Sequence, residues 1–241
     1  MTPPVAILAG GLATRLGTAT QRVPKALLDV AGKPFIVHQL ALLRAAGTRR
    51  VVVCIAHLGE QIEAAIGDGR DFGLEVVYSR DGELLLGTGG ALRHALPLLG
   101  ERFLVLYGDS YLRCDYAAIA AAFAASGKQG LMTVFENHGE YDASNVRFVD
   151  GRITVYDKTP GVADLTHIDY GLGGFTAGAF AAYAALPADD RIDLVDVYQD
   201  LLARGELFGY EVFERFYEIG SHAGLDATRR LLSKDSPKDS P

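Results

Sequence analysis

The 241-residue chain has no tryptophan, two methionines and two cysteines, Cys54 and Cys114. With no C-x-x-C pair, it offers neither a disulfide framework nor a structural zinc site, and the cysteine usage suits a reducing compartment. The six histidines show no metal-type spacing. Long apolar runs are missing too. The first, "VAILA", is too short for a signal-peptide core and far too short to span a bilayer. A cytoplasmic protein without a membrane partner is therefore expected. Positive charge is in deficit: 23 Lys and Arg against 30 Asp and Glu leave a net charge of -7. Nucleic acid and anionic membranes reward a basic surface and are not expected partners. The last absence is local. No carboxylate precedes Asp29, although Arg15, Arg22 and Lys25 all fall in that stretch.

Apolar segments of strand length alternate with segments of helical period through the first half. "VAILA", "RVVVCIA", "LEVVYS", "RFLVLYGDS" and "GLMTVFE" read as strands. Between them, "PFIVHQLALLRAAG", "LGEQIEAAIGDG", "GGALRHALPLLG" and "DYAAIAAAFAASG" read as helices. Strands that are apolar throughout need cover on both faces. This predicts an α/β fold, a three-layer, Rossmann-like, mostly parallel sheet with helices on both sides. After residue 136 the pattern changes to a β-rich lobe. "VRFVDGRITVYDK" reads as a hairpin around Asp150-Gly151, "HIDYGLGGF" as a strand, "DLVDVYQDLLARG" as a helix, and "LFGYEVFERFYEIG" as two strands before a last helix. The expected organisation is one domain over 1–233, in halves 1–136 and 137–233, with a disordered tail over 234–241.

The segment "LAGGLATRLGTATQRVPKALL" (residues 8–28) places adjacent glycines after the first strand and cations at both ends of a loop. Glycine backbone can approach phosphate closely. The P-loop pattern fails, because no lysine occurs before Lys25. The G-x-G-x-x-G fingerprint fails as well, because Gly10 and Gly11 are adjacent and the next glycine is Gly17. Arginine and lysine at the two ends of so long a loop point to a triphosphate. A carboxylate in it would repel that ligand.

These residues resemble the signature of the sugar-nucleotide pyrophosphorylases, the sugar-1-phosphate nucleotidyltransferases. Gly10, Gly11, Thr14, Arg15, Leu16, Pro24 and Lys25 match it, with Ala13 where many members have glycine. "LGTGGA", "VLYGDS", "VYDK", "IDYGLGGF" and "FYEIGSHAGL" follow in the family's order. The likeness is greatest to the heptose-1-phosphate guanylyltransferase and muramate-1-phosphate uridylyltransferase types.

The resemblance implies the nucleotide-diphospho-sugar transferase fold with a small sugar-binding lobe. It also implies condensation of an NTP with a sugar 1-phosphate, with release of pyrophosphate. Leu8, Ala9, Gly10, Gly11, Thr14 and Gly108 would hold the nucleotide; Leu86, Gly87, Thr88 and Gly89 would read its base. Arg15 would contact the β- and γ-phosphates, Lys25 the α-phosphate, and Lys158 the sugar phosphate. Asp157 stands where the family usually has glutamate beside that lysine. Asp169, Tyr170 and Gly171 would line the sugar pocket. Mg²⁺ is the implied cofactor, with Asp109 and Glu218 as ligands, Glu218 replacing the usual aspartate. "LGTGGA" favours GTP, and a homodimer is a family expectation. The alternatives are a cytidylyl- or uridylyltransferase, one acting on a phosphonate, or an inactive nucleotide-sugar-binding regulator.

Overall fold

The structure, a computed structural model, describes residues 2–11, 22–82, 84–159 and 161–235. In the first half, strands β1 (Val5–Leu8), β4 (Arg50–Ile55), β5 (Glu75–Arg80) and β6 (Arg102–Tyr107) are joined through helices α1 (Phe35–Ala45), α2 (Gly59–Ile66) and α3 (Gly87–Leu99). The short strands β2 (Asp29–Val30) and β3 (Lys33–Pro34) form a ribbon ahead of α1. Strand β7 (Ser110–Leu112), helix α4 (Tyr116–Ser126) and strand β8 (Gly130–Glu136) follow. The second half holds β9 (Val146–Val149), β10 (Arg152–Tyr156), β11 (His167–Thr176), α5 (Leu194–Ala203), β12 (Leu207–Glu211), β13 (Phe216–Glu218) and α6 (His222–Asp235).

Among the described residues the main sheet has nine strands, in the order β10-β9-β11-β6-β1-β4-β5, with β8 branching from β11 and β12 pairing with β8. Strands β6, β1, β4 and β5 run parallel; β11 lies antiparallel beside β6 and β8. The expected three-layer α/β sheet is present, with its parallel pairing concentrated in the first half. Alternation along each strand feeds two cores. Val5, Ile7, Val51 and Val53 face Ile36, Leu40, Leu43, Ile62 and Phe123 from α1, α2 and α4. Ala6, Val52 and Cys54 face Ala91, Leu92, Val197 and Leu201 from α3 and α5. Strands buried on both sides are why those segments read as unbroken apolar runs.

The Asp150-Gly151 hairpin forms between β9 and β10, with both turn residues at positive φ. Helix α6 runs to Asp235, into the segment expected as a tail over 234–241; residues 236–241 lie outside those described. Strands β7 and β13 form a separate antiparallel ribbon in which Glu218 pairs with Ser110. That register carries a residue from near the C-terminus to the end of β6.

Candidate active site

A cavity of about 470 Å³ opens at the carboxyl ends of β1, β4, β5 and β6, where open α/β sheets bind their ligands. Leu8, Ala9, Gly10, Gly11, Gly108 and Asp109 form one wall. Cys54, Asp81, Leu85, Gly87, Thr88 and Ala91 form another, and Lys25, Tyr107, Arg191 and Asp193 complete it. Gly108 is required by close backbone approach: a Cβ there would lie 2.5 Å from the Leu8 carbonyl. Thr14 and Arg15 fall outside the described residues.

At the end of β6, Lys25 Nζ donates to Asp109 Oδ2 at 2.9 Å. Lys25 sits in a short 3-10 turn anchored by the buried Ala26. Glu218 arrives on β13 from the other side. Its carboxylate is folded onto its own turn, accepting from the Gly220 and Ser221 N–H groups and from the Ser221 hydroxyl. Ser221 Oγ in turn accepts from Gly224 N–H in the first turn of α6. The glycines of "EIGSHAG" make room for this. A Cβ on Gly224 would overlap Glu218 Oε1. A Cβ on Gly220 would lie 2.6 Å from Glu218 Oε2, 3.3 Å from Asp109 Oδ2 and 3.4 Å from Lys25 Nζ. Two carboxylates and an ammonium therefore converge on a point kept free of side chain.

The segment expected to read the base also carries packing contacts. Thr88 Oγ1 donates to Asp193 Oδ1 at 3.2 Å and accepts from Leu194 N–H at 2.9 Å. Gly89 and Gly90 N–H both donate to the Ile192 carbonyl, at 2.9 and 3.1 Å. A Cβ on Gly89 would lie 2.8 Å from the Ile192 side chain. Leu86 is buried, and its carbonyl accepts from Ile192 N–H. The "LGTGG" segment thus docks α3 onto the start of α5. Gly87 and Thr88 line the cavity; Leu86 and Gly89 do not. Sequence reasoning passed over Asp81, at the end of β5. One of its oxygens, Oδ1, is buried without a hydrogen-bond partner among the described residues. Burial pushes its carboxyl up to about 6, opposed by His94 and by the Leu86 N–H.

Toward the β-rich lobe, Asp169 is half-buried. Its Oδ1 accepts from Gly171 N–H at 3.1 Å and its Oδ2 from the Tyr156 hydroxyl at 3.4 Å. Asn145 Oδ1 accepts the Asp169 N–H at 2.9 Å. Burial raises the Asp169 carboxyl, and the Lys158 ammonium opposes that rise. Lys158 itself is exposed and lies 5.6 Å from the Tyr156 ring centroid. Asp157 closes its own turn; the hydroxyl and N–H of Thr159 hold its carboxyl below the usual range. Tyr170, expected in the sugar pocket, is a correction. Strand alternation turns it to the opposite face from Asp169, where it is 2% exposed and packs on Phe135 and Phe216. Tyr107 links the two regions. Burial raises its phenol well above the usual value, and Asp169, Asp193 and Asp109 add to this.

The model of the nucleotidyl transferase family matches residues 5–147. The chain belongs to that family. Over 113 residues, 46% of the chain, this family member is 45% identical to 49% of the N-acetylmuramate alpha-1-phosphate uridylyltransferase of Neisseria meningitidis serogroup B. It is 28% identical over 220 residues to the mannose-1-phosphate guanyltransferase beta-B of Xenopus laevis, covering 89% of the chain and 60% of that protein. The matches thus span about half of the first of these curated relatives and 60% of the second, less than two thirds of either. Among solved structures, the inositol-1-phosphate CTP transferase from T. maritima superposes with a TM-score of 0.78 at 22% identity, covering 97% of this chain and 96% of that one. No helix among the described residues is long and apolar enough to cross a membrane.

Proposed function

We propose that this family member condenses an NTP with a sugar 1-phosphate, giving an NDP-sugar and pyrophosphate. The observation that carries the reading is the convergence of Lys25, Asp109 and Glu218 around Gly220, at the edge of a nucleotide-sized cavity. A phosphate monoester has its second pKa near 6, so the nucleophile is already ionised at neutral pH and needs no general base. A phosphate oxygen of the sugar phosphate attacks the α-phosphorus, the bond from that phosphorus to the bridging oxygen breaks, and pyrophosphate leaves with the electron pair. The protein's task is positioning and charge neutralisation. Lys25 serves the α-phosphate, exchanging its bond to Asp109 for one to the substrate. Arg15 serves the β- and γ-phosphates. Lys158 takes the phosphate of the acceptor, and Asp169 with the Gly171 backbone takes its hydroxyls.

The donor set at Gly220 fits Mg²⁺. It offers two hard carboxylates, and Mg²⁺ typically takes one or two of these with substrate phosphates and water. When bound there by Asp109 and Glu218, Mg²⁺ would neutralise charge developing on the phosphates. The proposed setting is the cytoplasm, which suits the free thiols of Cys54 and Cys114.

GTP is the proposed donor. Asp81 lines the cavity, and a carboxylate there suits a base that offers N–H donors; guanine presents adjacent N–H groups on one edge. A second reading takes UTP, whose single imide N–H would also satisfy Asp81. The 45% identity to a uridylyltransferase favours it. Pyrophosphate release should be measured with Mg²⁺ for GTP, UTP, CTP, ATP and dTTP against hexose, heptose and N-acetylmuramate 1-phosphates. Release that needs one NTP and one sugar phosphate is expected. Silence across the panel with NTP binding intact would move the assignment to another acceptor or to a binding protein.

A further inference from the structure

Helix α1 presents Phe35, Ile36, Leu40 and Leu43 to the core, and Gln39 lies among them with no exposed surface. A primary amide on the apolar stripe of a helix is costly unless it is bonded. Gln39 Nε2 donates to the Tyr107 carbonyl at 3.0 Å and to the Ser110 carbonyl at 2.8 Å. Only the NH₂ end can serve two carbonyls, so the orientation is decided by chemistry. Its Oε1 is left buried with no hydrogen-bond partner among the described residues.

The two carbonyls belong to the residues on either side of Gly108-Asp109. There the chain leaves β6 and enters β7. Asp109 contributes its own carbonyl to Ile219 N–H at 2.9 Å and its carboxylate to Lys25. The peptides flanking it are held from beneath by the one amide. An apolar side chain of similar size would fill the same space and take from each carbonyl the bond that Gln39 donates. We infer that Gln39 is a positioning residue, which fixes the β6–β7 turn so that Asp109 meets Glu218 at the Gly220 point. The inference rests on the reading of Asp109 and Glu218 as the cation site.

The test compares the full chain with Gln39→Met, Gln39→Leu, Asp109→Asn and the core variant Leu43→Val. Mn²⁺ binding is followed by electron paramagnetic resonance with a non-hydrolysable nucleotide present, and thermal melts are recorded alongside. Gln39→Met keeps the volume and loses both donors. It should weaken Mn²⁺ binding at least fivefold and raise the metal concentration for half-maximal turnover similarly, while metal-free nucleotide affinity stays within twofold. Leu43→Val should lower the melting temperature and leave Mn²⁺ affinity at the wild-type value. Gln39→Leu supplies the same comparison should the Met variant fail to accumulate. Wild-type Mn²⁺ affinity in a folded Gln39 variant would overturn the inference while leaving the cation site standing. Unchanged Mn²⁺ binding in Asp109→Asn would remove the cation reading, and the inference with it.

Discussion

Gly220→Ala is the most informative single substitution. The added methyl carbon would lie 2.6 Å from Glu218 Oε2, closer than a carbon and an oxygen can pack, with Asp109 Oδ2 and Lys25 Nζ at 3.3 and 3.4 Å. The flexible partner is the Glu218 carboxylate, which must withdraw by several tenths of an ångström. It cannot do so without lengthening the bonds it accepts from Gly220 N–H and from Ser221. Hydrogen bonds to a charged acceptor contribute about 1.5–3 kcal/mol each. Weakening rather than losing them should cost about 1–2 kcal/mol, a melting shift of a few degrees for a domain of this size. Activity should suffer far more, since a displacement of about 1 Å at a reacting centre can cost roughly a hundredfold. The assay is pyrophosphate release at saturating substrates beside a thermal melt. A folded Gly220→Ala protein with wild-type turnover would refute the claim that the open point beside Glu218 and Asp109 is where the chemistry happens.

Thr88→Val should behave as a docking defect. Val lacks the hydroxyl that joins Asp193 to Leu194 N–H, so about 1–2 kcal/mol of stability should be lost, while nucleotide affinity changes little; a large affinity loss at unchanged melting temperature would restore the base-reading role. Asp81 should leave a signature in stability. Its folded-state value near 6 lies above the ordinary 3.8, so the folded protein binds the proton more tightly than the unfolded chain, and stability falls as pH rises from about 4 to 6 and is flat above. Asp81→Asn should therefore melt higher than wild type at pH 8 and match it near pH 4, while binding GTP more weakly; equal melting at both values would contradict the upward shift of the Asp81 carboxyl. Lys25→Ala should fold normally and lose at least a hundredfold in turnover, which circular dichroism and the same release assay would check.

The parallel strands were legible because burial on both faces leaves an apolar run with no alternation to misread, as in "RVVVCIA" and "RFLVLYGDS". The Asp-Gly hairpin was legible because its turn chemistry is local. The pairing of β7 with β13 was not: β13 reads as a strand, but nothing local in so short a strand names a partner about a hundred residues away. The packing role of the glycines of "LGTGG" was not legible for a related reason. Their need is close approach to Ile192, a residue roughly a hundred positions away, and nothing local distinguishes that from approach to a ligand. Tyr170 and Asp169 were both taken for the pocket, although neighbours on a strand point to opposite faces. Two signals were available and unused. Asp81 follows a parallel strand, where such sheets place ligand contacts, and Gln39 interrupts the apolar stripe of α1.

The central claim is direct nucleotidyl transfer to a sugar phosphate, and the reverse reaction tests it most directly. Wild-type protein is incubated with Mg²⁺, pyrophosphate and GDP- or UDP-sugars, and the products are followed by ³¹P NMR. The account predicts NTP and sugar 1-phosphate in equal amounts, abolished in Lys25→Ala and Asp109→Asn. Release of free sugar and NDP, or NTP formation undiminished in both variants, would contradict it.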